Sequence, residues 1–79
     1  FYTYVLFSQK ANKHYYGSAQ DLQKRLNEHN RGKVKFTKPF VPWSIVYFEE
    51  YETRSDAFKR EMFFKSIDGY RWLREHKIV

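Results

Sequence analysis

Tyr2-Thr3-Tyr4-Val5-Leu6-Phe7-Ser8, then Tyr15-Tyr16-Gly17, then Asp21-Leu22-Gln23-Lys24-Arg25-Leu26-Asn27-Glu28-His29-Asn30: this opening third of the chain decides its reading. Tyr2 to Ser8 is dense in aromatic and β-branched residues, which suit a pleated, half-buried surface, so it reads as a strand. The polar stretch Gln9 to Lys13 reads as a turn, and His14 to Gly17 begins a second strand, giving a hairpin. Ser18-Ala19-Gln20-Asp21 has the spacing of a capping box, with Ser18 as cap and a carboxylate three residues on. A helix is therefore expected from about Ala19 to Asn30, with Gly32 as its stop. Residues four apart share a helix face, so Asp21, Arg25 and His29 form a polar stripe beside an apolar one of Leu22 and Leu26.

Working outward, Lys33 to Val41 reads as a basic loop in which Pro39 and Pro42 oppose regular structure. Ser44 to Tyr51, with Ile45-Val46-Tyr47-Phe48 at its centre, is the strongest strand signal. Thr53-Arg54-Ser55-Asp56 repeats the cap signature and opens a second helix to about Ser66. Asp68-Gly69 reads as a turn, and Tyr70 to His76 as a short final helix. The expected order is β-β-α-β-α-α: an α/β (α+β) fold with a small three-stranded antiparallel-type sheet flanked by helices. Trp43, Phe48, Phe58, Met62 and Trp72 are expected in the core.

The chain has 79 residues, enough for one domain spanning 1–79 and no second core. It has no cysteine, which removes disulfides and thiolate zinc sites and fits a reducing, cytoplasmic compartment. Aromatic residues make up 22% and compensate for the small size, because each buries a large area. No long apolar run or signal peptide is evident, so no membrane partner is expected. The net charge of +6 points instead to a polyanion. The excess is local: Lys24, Arg25, Arg31, Lys33, Lys35 and Lys38 face only Glu28 over that stretch, whereas Glu49, Glu50 and Glu52 lie elsewhere.

These residue types fit chemistry on a phosphate. Arg25 offers a planar fork of donors. His29 titrates near neutrality and is suited to taking or relaying a proton. Tyr4 or Tyr15 is suited to deprotonating a water if cations lower its pKa. Glu61 is a ligand for one Mg²⁺ or Mn²⁺, an ion that takes one or two protein oxygens and completes its shell with water and substrate phosphate. A single carboxylate suits a one-metal phosphodiesterase and is too few for a two-metal centre. Gly17 lets backbone approach the site closely. Arg31, Lys33, Lys35, Lys38 and Lys65 are placed to contact nucleic-acid phosphates, with Phe36 beside them to stack on an unpaired base. No recognition helix or zinc-finger spacing is present to read sequence.

Each residue also has an ordinary explanation. Strand tyrosines usually pack, and Tyr16, facing away from Tyr15, is read that way. Arg25 fits a surface pair with Asp21, His29 fits a cap that complements the helix dipole, and Glu61 fits a solvated ion pair with Arg60 or Lys65.

Taken in order, however, the chain resembles the GIY-YIG nuclease superfamily, especially its small stand-alone bacterial members. The resemblance rests on Tyr4, Tyr15 to Gly17, the Asp-Leu-x-x-Arg-Leu-x-x-His-Asn run from Asp21 to Asn30, Pro42 to Tyr47, Arg60-Glu61 and Lys65. It implies that Tyr4 and Tyr15 are active-site tyrosines, Arg25 the catalytic arginine, His29 an accessory base and Glu61 the metal ligand. It also implies metal-dependent hydrolysis of DNA, on branched or distorted substrates, by a protein read as a monomer. Tyr2-Thr3-Tyr4 lacks the family's Gly and Ile, Tyr16 replaces an Ile, and Ala19 stands where Thr is common. A non-catalytic nucleic-acid-binding module on the same scaffold is the main rival, and a phosphotyrosyl strand transferase a more distant one.

Overall fold

A computed structural model describes residues 1–79 and contains three strands, β1 (Tyr2–Ser8), β2 (Lys13–Ala19) and β3 (Ser44–Glu50). Three helices, α1 (Leu22–Asn30), α2 (Arg54–Phe64) and α3 (Ile67–Glu75), and a 3₁₀ turn at Lys38–Phe40 complete it. The sheet is antiparallel in the order β2-β1-β3, so the expected β-β-α-β-α-α architecture holds. β1 is the central strand, and Thr3 to Leu6 are buried without a break. That continuous burial requires both sheet faces to be covered.

Strand alternation sorts the side chains into two cores. Tyr4, Leu6 and Trp43 pack with Leu22, Leu26, Phe40 and Ile45 on the α1 side. Val5, Phe64 and Leu73 pack with Tyr16, Tyr47 and Trp72 on the α2–α3 side. Tyr16 is therefore a packing residue. A register shift between Val5 and Leu6 bulges β3, and Val46 is left exposed there. Thr3 ties the sheet to α2 by donating its hydroxyl to the Ala57 carbonyl at 2.6 Å.

Three expectations are corrected. Ser18 does not cap α1: Ser18 and Ala19 pair with Thr3 and Tyr2, so β2 runs on through them. Asp21 is the cap, accepting from the Lys24 amide at 3.0 Å. Asp68-Gly69 is no turn but the first turn of α3, whose cap Ser66 accepts from the Gly69 amide at 3.1 Å. Gly69 serves close packing instead, since a Cβ there would strike the Phe63 carbonyl and stand 2.8 Å from Phe64 Cα. Phe48, Phe58 and Met62 are surface residues rather than core. Thr53 does cap α2, accepting from the Asp56 amide at 3.1 Å.

The segment between α1 and β3 is held by several side-chain hydrogen bonds, Ser8 to the Phe40 carbonyl at 2.6 Å among them. Asn30 donates to the Trp43 carbonyl at 3.0 Å and accepts from the Trp43 amide at 2.6 Å. The Trp43 indole in turn donates to the Thr37 carbonyl at 3.0 Å. The basic loop is thereby folded back under the C-terminal end of α1.

Candidate active site

Tyr4 lies opposite Gly17 in the β1–β2 ladder, so both face α1. The Tyr4 ring crosses over Gly17: a Cβ at that position would stand 2.5 Å from Tyr4 Cζ. Gly17 is buried beneath the phenol, so its place is to make room for Tyr4 rather than to touch a ligand. This steric demand is the physical content of the Tyr-x-Gly pattern in β2.

The phenol oxygen lies 3.0 Å from His29 Nε2, and His29 Nδ1 lies 2.8 Å from the Thr37 hydroxyl. Tyr4, His29 and Thr37 are all buried. Burial pushes the Tyr4 pKa up to about 12, opposed by the nearby Arg25 guanidinium and its positive charge. Tyr15 and Glu61 push it further upward, so the Glu61 carboxylate lies near enough for its charge to be felt there. Burial and then the Arg25 charge bring the His29 pKa down to about 4, against a smaller opposing pull from Glu28. The sequence reading of His29 as a group titrating near neutrality, whether as base or as charged cap, is overturned. A buried ring beside a guanidinium stays neutral.

Arg25 donates to Glu28 at 3.2 Å, not to Asp21, whose carboxylate is committed to the helix cap. Burial disfavours its charge, but the nearby Tyr4 oxygen and the Glu28 carboxylate outweigh that and raise its pKa. Arg25 also lines a groove of about 1100 Å³ that includes Tyr2, Lys24 and Phe48. Tyr15 stands edge-on to His29 with ring centroids 5.0 Å apart, and also meets Phe36 and Trp43. Its hydroxyl makes no hydrogen bond within the protein and is not buried.

Glu61 comes from α2 and is 9% exposed. Ser18 donates to its Oε1 at 2.7 Å and Lys65 to its Oε2 at 2.8 Å. Arg60 does not join this set: it pairs with Glu49 at 2.9 Å and lies over Phe63, Phe64 and Trp72. The solvated ion pair weighed for Glu61 is thus partly present, but with Lys65 and on a nearly buried carboxylate. Ser18, spent in the sequence reading as a helix cap, was missed as its partner. Strand alternation was the available signal, since Ser18 shares the α2-facing side of β2 with Tyr16.

The expected phosphate-contacting groups divide. Arg31, Lys33, Lys35 and Lys38 are exposed around the loop after α1, and Phe36 is 63% exposed beside Tyr15 and Phe40. Lys65 is exposed but engaged with Glu61, and borders a shallow groove of about 400 Å³ with His14, Tyr15, Tyr16 and Phe36. Tyr4, Tyr15, Arg25 and His29 therefore form one contiguous group, and Glu61 approaches it past Ser18, the residue after Gly17. Thr37 and Asn30 are further site residues that the sequence reading passed over.

Over 61 residues the chain is 44% identical to a UPF0213 protein of Staphylococcus aureus strain Mu3, covering 76% of this chain and 74% of that one. UPF0213 proteins of strains Mu50 and N315 match to the same extent. No solved structure matches the chain. Residues 1–69 match the GIY-YIG catalytic domain, and the chain belongs to that nuclease superfamily.

Proposed function

We propose that this protein is a metal-dependent endonuclease that hydrolyses DNA phosphodiester bonds, acting as a cytoplasmic monomer on branched or distorted DNA of the repair or recombination type. The observation that carries the reading is the meeting of Arg25, His29 and the Glu61 charge at one phenol, with a second phenol, Tyr15, left free beside them. A packing role alone does not account for a charged guanidinium and a nearly buried carboxylate placed around two tyrosines.

The cofactor of this reading is one divalent cation, which Glu61 would hold through its carboxylate; no three carboxylate, imidazole or thiolate groups converge. That carboxylate already holds a cationic group, the Lys65 ammonium. Mg²⁺ or Mn²⁺ bound there supplies Lewis-acid polarisation of a phosphoryl oxygen and charge neutralisation. Ser18 keeps Glu61 oriented, and Lys65, released from Glu61, is free to meet phosphate.

Tyr15, whose oxygen is uncommitted within the protein, serves in its phenolate form as the base that takes a proton from the attacking water. Tyr4 is less suited as a free base, because its hydroxyl is engaged and its pKa is high. Water attacks phosphorus, the P–O bond opposite breaks, and Arg25 stabilises the charge on the non-bridging oxygens. The exposed Arg31, Lys33, Lys35 and Lys38 hold flanking phosphates without reading sequence, and Phe36 offers a stacking face where the duplex is opened.

The test is incubation with plasmid and branched DNA in Mg²⁺ or Mn²⁺. Cleavage that needs the metal and is lost in Tyr15→Phe is the expected result. Salt-sensitive binding without any cutting by the wild-type protein supports the non-catalytic binding module instead.

A further inference from the structure

The Thr37 hydroxyl lies between two partners. It donates to the Val34 carbonyl at 3.3 Å and is 2.8 Å from His29 Nδ1. The Val34 carbonyl gives the hydroxyl hydrogen an acceptor of its own, which lets Thr37 accept from His29 in the arrangement where Nδ1 carries the proton and Nε2 is bare. The other end of the chain of contacts agrees. The buried Tyr4 hydroxyl has one hydrogen-bond partner in the protein, the imidazole, so His29 Nε2 is the one acceptor open to its hydrogen. The reverse arrangement, with Nε2–H facing Tyr4, would leave the phenol hydrogen without an acceptor in a buried position.

We propose that Thr37 is a positioning residue: it fixes His29 as the Nδ1–H tautomer, which turns the Tyr4 hydroxyl hydrogen onto Nε2 and leaves the phenol oxygen free to accept. This rests on the nuclease reading for its consequence, but its geometry stands apart from it. Thr37 owes its own place to Trp43, whose indole grips its carbonyl, and to the Asn30 clamp on Trp43. A buried loop threonine thus sets the direction of the Tyr4 hydroxyl two contacts away.

The test is a long-range ¹H–¹⁵N spectrum of the histidine rings near pH 7 in wild type, Thr37→Val and Thr37→Ser, read beside DNA cleavage and DNA affinity. Wild-type His29 is expected to show a protonated Nδ1 and a bare Nε2. Thr37→Val, which keeps the shape and removes the hydroxyl, is expected to lose that preference and slow cleavage by roughly tenfold to a hundredfold with DNA affinity unchanged. Thr37→Ser is expected to restore both. A wild-type ring protonated on Nε2 overturns the proposal, whether or not the valine variant folds. So does a Thr37→Val protein that cleaves slowly with its tautomer unchanged. Absence of cleavage in the wild type sinks the nuclease reading alone, and the spectra still decide the tautomer.

Discussion

At the scale of residues, His29 illustrates how position overrides type. Its sequence neighbours gave it the look of an exposed imidazole on a polar stripe. The fold encloses it under the loop at Thr37, between two tyrosines and behind Arg25. Nothing in the 3.6-residue period could show this, because the cover comes from a segment without regular structure. The burial has a measurable consequence. The folded pKa is about 4 against 6.5 for a free ring, so between these values the unfolded chain binds the extra proton. The stabilisation from keeping His29 neutral is therefore complete above pH 6.5, falls as the pH drops, and is gone by about pH 4. The full span is about 3 kcal/mol. Urea unfolding of wild type and His29→Gln between pH 4 and 7 checks this: the wild-type curve should fall more steeply. Parallel curves would mean that the ring is not held neutral.

At the scale of elements, the strands and α2 were legible because each carries its own period and cap. β1 alternates in both directions about a fully buried centre, and Thr53 caps α2 as its sequence signature says. The errors all came from residues with two physical uses. Ser18 has the chemistry of a cap, but ladder pairing keeps it in β2 and turns its hydroxyl to Glu61. Gly69 has the look of a turn, but close approach of α3 to the end of α2 is what demands it. Surface Phe48, Phe58 and Met62 look like core in any pattern that counts only hydrophobicity. The first error yields a paired test. Asp21→Ala should cost about 1 kcal/mol by removing the α1 cap. Ser18→Ala should leave α1 intact and instead weaken Mn²⁺ binding and cleavage. Calorimetric stability beside Mn²⁺ titration separates them, and a Ser18→Ala protein with unaltered metal affinity would remove Ser18 from the site.

At the scale of the whole molecule, the excess positive charge is gathered where the candidate active site opens. The loop carrying Arg31, Lys33, Lys35 and Lys38 also supplies Thr37 to the buried site and Phe36 to its rim. Binding surface and site are therefore parts of one folded segment. The five candidate site residues were legible as a motif, but their surroundings were not. The sequence could not show that one phenol is engaged and the other free, and it left Glu61 a choice between Arg60 and Lys65 that the fold decides for Lys65. No helix is long and apolar enough to cross a membrane. If the loop cations touch backbone phosphates, each contact contributes about 0.9 to the slope of log affinity against log salt. Replacing Lys33, Lys35 and Lys38 together with Gln should lower that slope by about 3. An unchanged slope would place the DNA on another face.

The proposed reaction brings metal, phosphate and phenols together at the carboxylate from α2, so the most direct measurement is DNA cleavage and DNA affinity of Glu61→Gln beside wild type in Mg²⁺ and in Mn²⁺. The expected result is metal-dependent cutting by the wild type, none by the variant, and similar DNA affinity for both. Wild-type cutting that persists at full rate in Glu61→Gln would contradict a cation held by this carboxylate, and with it the proposed chemistry of the site.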